Sequence, residues 1–169
     1  DHLPKTEKYI PKQRLWYIRA KEVIISSGSI ERPLVFGNND TPGVMLSSAA
    51  KEYLKIYGVL VGKKPLVFTN NDSGYETAIE FKKNGIDPII LDTRKDPNSE
   101  IIQEAKDLNI NIKTSHVVVA AKGYKKVNSA DIAKLSDDKK NVSNIENIKC
   151  DCICVSGFWT PTIHLASQS

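Results

Sequence analysis

The sequence is short of the features that usually announce an enzyme. No G-x-S-x-G elbow is present, so the usual serine-hydrolase arrangement is excluded. The three histidines, His2, His116 and His164, are dispersed and match neither metal-ligand nor triad spacing. Cys150, Cys152 and Cys154 alternate, without the two-residue spacer and second ligand pair of a zinc site. Adjacent positions on one strand are also poorly placed for a standard disulfide. These thiols are expected to be buried, reduced and on one face of a core strand, which points to a reducing, cytoplasmic compartment. No apolar run approaches the roughly 20 residues that span a bilayer, and no signal peptide is visible, so no membrane association is expected. The lysines are scattered, and the net charge of +4 is modest. Nucleic-acid binding is therefore not expected. No repeat or low-complexity tract is present.

What is there is an ordinary globular composition, 40% hydrophobic and 26% charged, in 169 residues, enough for one domain with a real core. The chain is organised around residues 64–94. Pro65, Leu66, Val67 and Phe68 form a short apolar strand. A turn cluster, Thr69 to Gly74, leads to a helix with Tyr75, Ala78 and Ile79 on one face. Ser73 and Glu76 fit a capping box at its start. Asn84-Gly85 stops the helix, and residues 88–91 form a second strand ending in Asp92. This is a βαβ unit.

Around it, residues 14–20 read as an alternating strand, residues 23–25 as a short buried one, and residues 1–12 as loop. A helix is expected over 44–57, capped by Asp40 or Thr41, with Ala49, Ala50, Tyr53, Leu54 and Tyr57 as its apolar stripe and Gly58 as its C-terminal cap. Asn98 or Ser99 is expected to cap a third helix, 100–108. Residues 110–121 form a long β-like run. Residues 125–135 and 142–148 are candidate partner strands across a turn at 137–141. Residues 152–155 form the last buried strand, followed by Ser156 and Gly157. Residues 23–28 and 152–157 share one device, an apolar strand ending in Ser-Gly. Small residues at a strand's carboxyl end allow close approach of a ligand or backbone. The fold class is therefore α/β: a Rossmann-like, dinucleotide-binding-type domain with a small antiparallel β-meander, flanked by strands returning to an absent first dinucleotide domain. Residues 1–33 and 149–169 are assigned to that first domain, and 34–148 to the inserted one.

The run from Ser27 to Leu46, with Glu31-Arg32-Pro33 and Gly37-Asn38-Asn39-Asp40, resembles a segment of the alpha subunit of heterotetrameric sarcosine oxidase. So do the run from Val67 to Tyr75 and the run from Val155 to Pro161 with His164-Leu165. The match extends from Arg14 onward. The alpha subunits of amino-acid and opine dehydrogenases share the architecture. The resemblance implies an oxidoreductase that oxidatively demethylates sarcosine. It implies a nicotinamide dinucleotide (NAD) in the full subunit, FMN shared with a beta subunit, FAD in the beta subunit, and tetrahydrofolate in a carboxyl-terminal domain. It further implies partner subunits, and an internal piece of the alpha subunit with no activity of its own. Self-association of the chain is left open.

Candidate cofactor-binding residues follow. Asn70, Asn71 and Gly74 occupy the place of a glycine fingerprint, of which only Gly74 remains. Asp72 there sets a negative charge where a diphosphate would lie, which favours a degenerate, structural loop. Asp92 stands where a ribose acceptor belongs, its alternative being a strand-end turn residue. Arg94 reads as solvated, with a 2′-phosphate contact as the second reading. Ser27, Gly28, Ser156 and Gly157 would border a dinucleotide held by the first domain, or serve packing alone. Arg32 is a secondary phosphate candidate. Trp16, Phe158 and Trp159 read as core or covered interface. No catalytic residue and no metal ligand is assigned. Two readings stand: a cofactor-binding module of a multisubunit oxidoreductase, or a non-catalytic docking module with a decayed site. An independent small Rossmann enzyme would lack any acid, base or metal constellation.

Overall fold

The computed structural model describes Tyr9 and residues 13–168. The loop expected over 1–12 and the residue His2 therefore lie almost wholly outside the described residues. The elements in chain order are β1 (Ser29–Arg32), β2 (Val44–Leu46), α1 (Ser47–Tyr57), β3 (Pro65–Thr69), α2 (Ser73–Lys83), β4 (Ile89–Asp92), α3 (Glu100–Asp107), β5 (Asn111–Thr114), β6 (His116–Lys122), β7 (Ser129–Leu135), β8 (Val142–Ile148), β9 (Cys152–Ser156) and β10 (Phe158–Pro161).

A five-stranded sheet in the order β2-β9-β3-β4-β5 forms the middle layer, and every pairing within it is parallel. Strands buried on both faces need apolar residues throughout, and β3 and β9 are fully buried along their length. The pleat divides their side chains. Val67, Cys152 and Cys154 pack with Ala50, Tyr75, Phe81 and Ile102 on the helical face. Leu66, Phe68, Ile153 and Val155 pack with Val118, Val127 and Ile132 on the other. That second face is covered by the antiparallel meander β6-β7-β8. The result is three layers: helices, parallel sheet, meander. Among the described residues no helix is long and apolar enough to cross a membrane.

The βαβ core, the third helix, the meander and the 137–141 turn agree with the sequence. Gly58 does cap α1, with φ of 62° and its amide donating to the Leu54 carbonyl at 3.1 Å. Other expectations need correction. Residues 14–20 and 23–25 form no strand, and Leu15, Tyr17, Val23 and Ile24 are exposed. The apolar pattern is present there but has no strand to pair with. Residues 44–46 are not helical. They form edge strand β2, because Val44, Met45 and Leu46 pair with Ile153, Cys154 and Val155. The helix begins at Ser47, and Tyr53 and Tyr57 of the expected stripe are exposed. The Ser73–Glu76 capping box does not form: Glu76 instead pairs with Lys51 of α1. Ser99 holds the N-cap position of α3 without a side-chain cap bond. The run 110–121 is broken at Ser115, whose φ of 54° turns β5 into β6.

Two further corrections concern the carboxyl-terminal strand. Cys150 does not share a face with Cys152 and Cys154. It lies ahead of β9 and packs on the meander side, where burial first, and the neighbouring Cys152 and Asp151 next, push its thiol up to about 12. All three thiols are free. Second, β9 is not a strand of another domain. It is inserted between β2 and β3, so Cys152–Ser156 belongs to the same sheet as Pro65–Thr69. What leaves the sheet is the two-stranded ribbon of β1 and β10.

Ile153 sits at the centre of this arrangement with no exposed surface. Its replacement by alanine is expected to lower stability by about 2–5 kcal/mol, read from the shift of the urea unfolding midpoint, with the m-value unchanged.

Candidate functional site

In an open parallel sheet, a ligand lies outside the carboxyl ends of the strands where the strand order reverses. Here that point is between β3, which leads on to β4, and β9, which returns from the end of the chain. The loop after β3 and the start of α2 form one wall, and the residues after β9 form the other.

Thr69 ends β3 without exposed surface. Its hydroxyl donates to the Asn71 carbonyl at 2.8 Å and accepts from the Asn71 amide at 3.1 Å. Asn71 then spans the crevice. Its side-chain nitrogen donates to the carbonyls of Gly157 at 2.9 Å and Ser156 at 3.3 Å. Its side-chain oxygen accepts from the Ser73 amide at 2.9 Å and from the Ser73 hydroxyl. The Ser73 hydroxyl also lies 3.2 Å from that of Ser156 and accepts from the Trp159 indole at 3.0 Å. The Asn70 amide donates to the Ser156 carbonyl at 3.3 Å. Thus Asn70, Asn71, Ser156 and Gly157 do come together, and their polar groups bond one another.

Gly74 serves the packing role of a fingerprint glycine rather than the ligand-facing one. A Cβ there would stand 2.6 Å from the Cβ of Thr69, so only glycine lets α2 lie this close to β3. Gly157 is likewise set against backbone: a Cβ would meet the Arg32 carbonyl oxygen at 2.7 Å. Ser27 and Gly28 are not part of this cluster. Ser27 donates to the Thr162 carbonyl, and Thr162 donates back to Gly28 at 2.9 Å. They close the far end of the β1–β10 ribbon, a strand length of roughly 13 Å away at about 3.3 Å per residue. The shared strand-Ser-Gly device is therefore not paired in space.

The acidic end of β4 is equally occupied. Asp92 is fully buried. Its carboxylate accepts from the Tyr75 hydroxyl at 2.8 Å, from Arg94 Nη2 at 2.8 Å and Nε at 3.1 Å, and from the Arg94 amide at 2.9 Å. Arg94 is not simply solvated: its other Nη lies 2.8 Å from Asp72. One guanidinium thus joins the strand-end acid to the acid at the start of α2. Burial works against the charge of Arg94, and the bonds to Asp92 and Asp72 outweigh it, so its pKa is raised. Burial, then the Asp92 charge and hydrogen bond, raise the Tyr75 phenol well above its usual value.

These residues do not fit a dinucleotide. The first-turn amides of Ser73 and Tyr75 are already given to Asn71 Oδ1 and the Asp72 carbonyl. Asp72 would face the diphosphate, and Asp92 has no free surface for a ribose. Among the described residues no group of three His, Cys, Asp or Glu could hold a metal. Sequence reasoning missed Arg94 as the clamp and Trp159 as a donor to the loop. The one available signal was an arginine two residues beyond a strand-end aspartate. Glu31 is 4% exposed, and its carboxylate accepts from the Ser48 amide at 2.9 Å. It takes the place of the side-chain cap that α1 lacks.

No protein-family model matches the chain. It is 34% identical over 161 residues to the sarcosine oxidase alpha subunit of Corynebacterium sp. (strain U-96), across 94% of this chain and 16% of that one. The alpha subunit from Rhizobium meliloti (strain 1021) is 34% identical over 166 residues, 98% of this chain and 16% of that one. The chain therefore spans about one sixth of the length of these relatives. Among solved structures, thioredoxin reductase of T. acidophilum gives a TM-score of 0.63 at 16% identity, covering 84% of this chain and 45% of that one. Thioredoxin reductase of Lactococcus lactis gives 0.62 at 19%, covering 83% and 46%. These likenesses establish a Rossmann-like dinucleotide-binding fold.

Replacing Arg94 by methionine leaves Asp92 buried without its cation, and is expected to lower stability by roughly 3 kcal/mol. Adding Asp92→Asn should recover most of that loss, as read in urea unfolding. The Tyr75 phenol is protonated more firmly in the folded chain than in the unfolded one. Its contribution is fully present below about pH 10 and is lost as pH rises beyond it. Melting temperatures between pH 8 and 11 should fall less steeply above pH 10 in Tyr75→Phe than in the parent.

Proposed function

We propose that this chain, homologous over nearly its whole length to one segment of sarcosine oxidase alpha subunits, is the inner dinucleotide-type module of an oxidoreductase subunit of that kind. In the assembly, sarcosine is oxidatively demethylated by flavin held on partner subunits. The nicotinamide dinucleotide and the folate sites lie on parts of the alpha subunit outside this module. The observation that carries this reading is the sequence identity, sustained over 94% of the chain.

The surface supports it. Large apolar side chains are exposed along one stretch, Leu15, Trp16, Tyr17 and Ile18, and again beside the ribbon at Ile30, Phe158 and Ile163. Large apolar side chains exposed in this way are what a covering domain would bury. The internally bonded crevice favours a structural role for the module within that subunit. Asn70, Asn71, Gly74, Ser156 and Gly157 then shape the crevice, Asp92 anchors its rim, and Ser27 and Gly28 close the ribbon. None of the eight contacts cofactor from within this module.

The test is expression of the full gene product with its genomic neighbours, followed by assay of N-methyl amino acid oxidation. The expected result is a flavin-containing multisubunit complex that turns over sarcosine and releases formaldehyde, while the 169-residue chain alone has no turnover. A product that carries no flavin and assembles with no partner would overturn the proposal.

A further inference from the structure

The ribbon of β1 and β10 is more than a connection. Glu31 and Trp159 are directly opposed in its register, and directly opposed residues project from the same face of an antiparallel pair. Both are turned onto the module, and each is tied to a different helix. Glu31 accepts from the Ser48 amide in the first turn of α1. Trp159 donates to the Ser73 hydroxyl in the first turn of α2. At the ribbon's base, the Gly157 amide donates to the Arg32 carbonyl at 2.8 Å. The Gly157 carbonyl is held by Asn71. The Gly157 position has no room for a side chain, because the Arg32 carbonyl and the Leu34 amide lie too close.

We infer that the ligand crevice of this fold has become a latch: the Glu31–Trp159 cross-strand pair staples the β1–β10 ribbon across the amino ends of α1 and α2, where a dinucleotide's phosphates would otherwise lie. The latch has two consequences. It excludes a dinucleotide from the switch point, and it fixes the direction in which both chain segments leave the module. Whatever the ribbon leads to is held at one orientation instead of rotating about it. This inference rests on the geometry of the module and not on the sarcosine oxidase reading, so either can fail alone.

Hydrogen–deuterium exchange on the chain tests it. Trp159→Phe keeps the ring packing and removes the indole donor. One hydrogen bond is worth about 0.5–1.5 kcal/mol, which is roughly a 2- to 12-fold change in local opening. Amides of 29–32 and 158–160 should exchange faster by that factor, while those of β3 and β9 stay unchanged. Ser73→Ala removes the acceptor and should speed the same ribbon amides, with a further change near 71 and 156 because its hydroxyl also meets Asn71 and Ser156, and at the ribbon the double variant should add little to either single change. Unchanged ribbon exchange in both single variants, or fully additive effects, would overturn the latch. NAD, NADH, NADP and ADP at millimolar concentration are expected to leave exchange at 69–75 unaltered. Protection of those amides by any of them would overturn the exclusion.

Discussion

The parallel pairing of β9 with both β2 and β3 is the constraint on which the rest depends. It brings a strand from the end of the chain into the middle of a sheet begun more than eighty residues earlier. Its register sets which side chains meet the helices and which meet the meander. Both faces of β9 are buried, so a one-residue slip would exchange Ile153 and Val155 for Cys152 and Cys154 across the whole core. The insertion also places Ser156 and Gly157 beside Asn71 and sends β10 back over the helix ends.

From that placement follows the character of the crevice. In a working dinucleotide site, backbone amides, a helix end and one acid stand free for a ligand. Here the Ser73 and Tyr75 amides and the Asp92 carboxylate are engaged by the chain itself. Arg94 supplies the positive charge that two nearby carboxylates require, and an unpaired buried Asp92 would be far more costly than the pair. Asn71 and Trp159 satisfy the groups on the opposite wall. The fold and the ligand chemistry are thus separable: the sheet and helices persist while the residues that would receive phosphate and ribose have been turned inward.

The chain therefore shares a third of its residues with one segment of sarcosine oxidase alpha subunits while its crevice is bonded internally.

The sequence by itself determined the elements whose causes are local. The βαβ unit at 64–94 was legible from an apolar strand, a polar turn and a helical period. The Gly58 cap and the 137–141 turn were legible because their bonds join residues a few positions apart. Only the tertiary structure decided the elements whose partners are distant. Residues 44–46 are a strand because β9 lies beside them. Residues 14–25 carry a strand-like pattern and form none, for lack of a neighbour. Cys150 departs from its alternating companions because the chain bends at Asp151 before β9 begins. Arg94 reads as an ordinary surface cation until Asp72, twenty-two positions earlier, is folded against it. Trp159 reads as core or covered interface until Ser73 is placed beside its indole. Periodicity and turn chemistry report on neighbours in the chain, whereas strand pairing and buried charge pairing depend on neighbours in space.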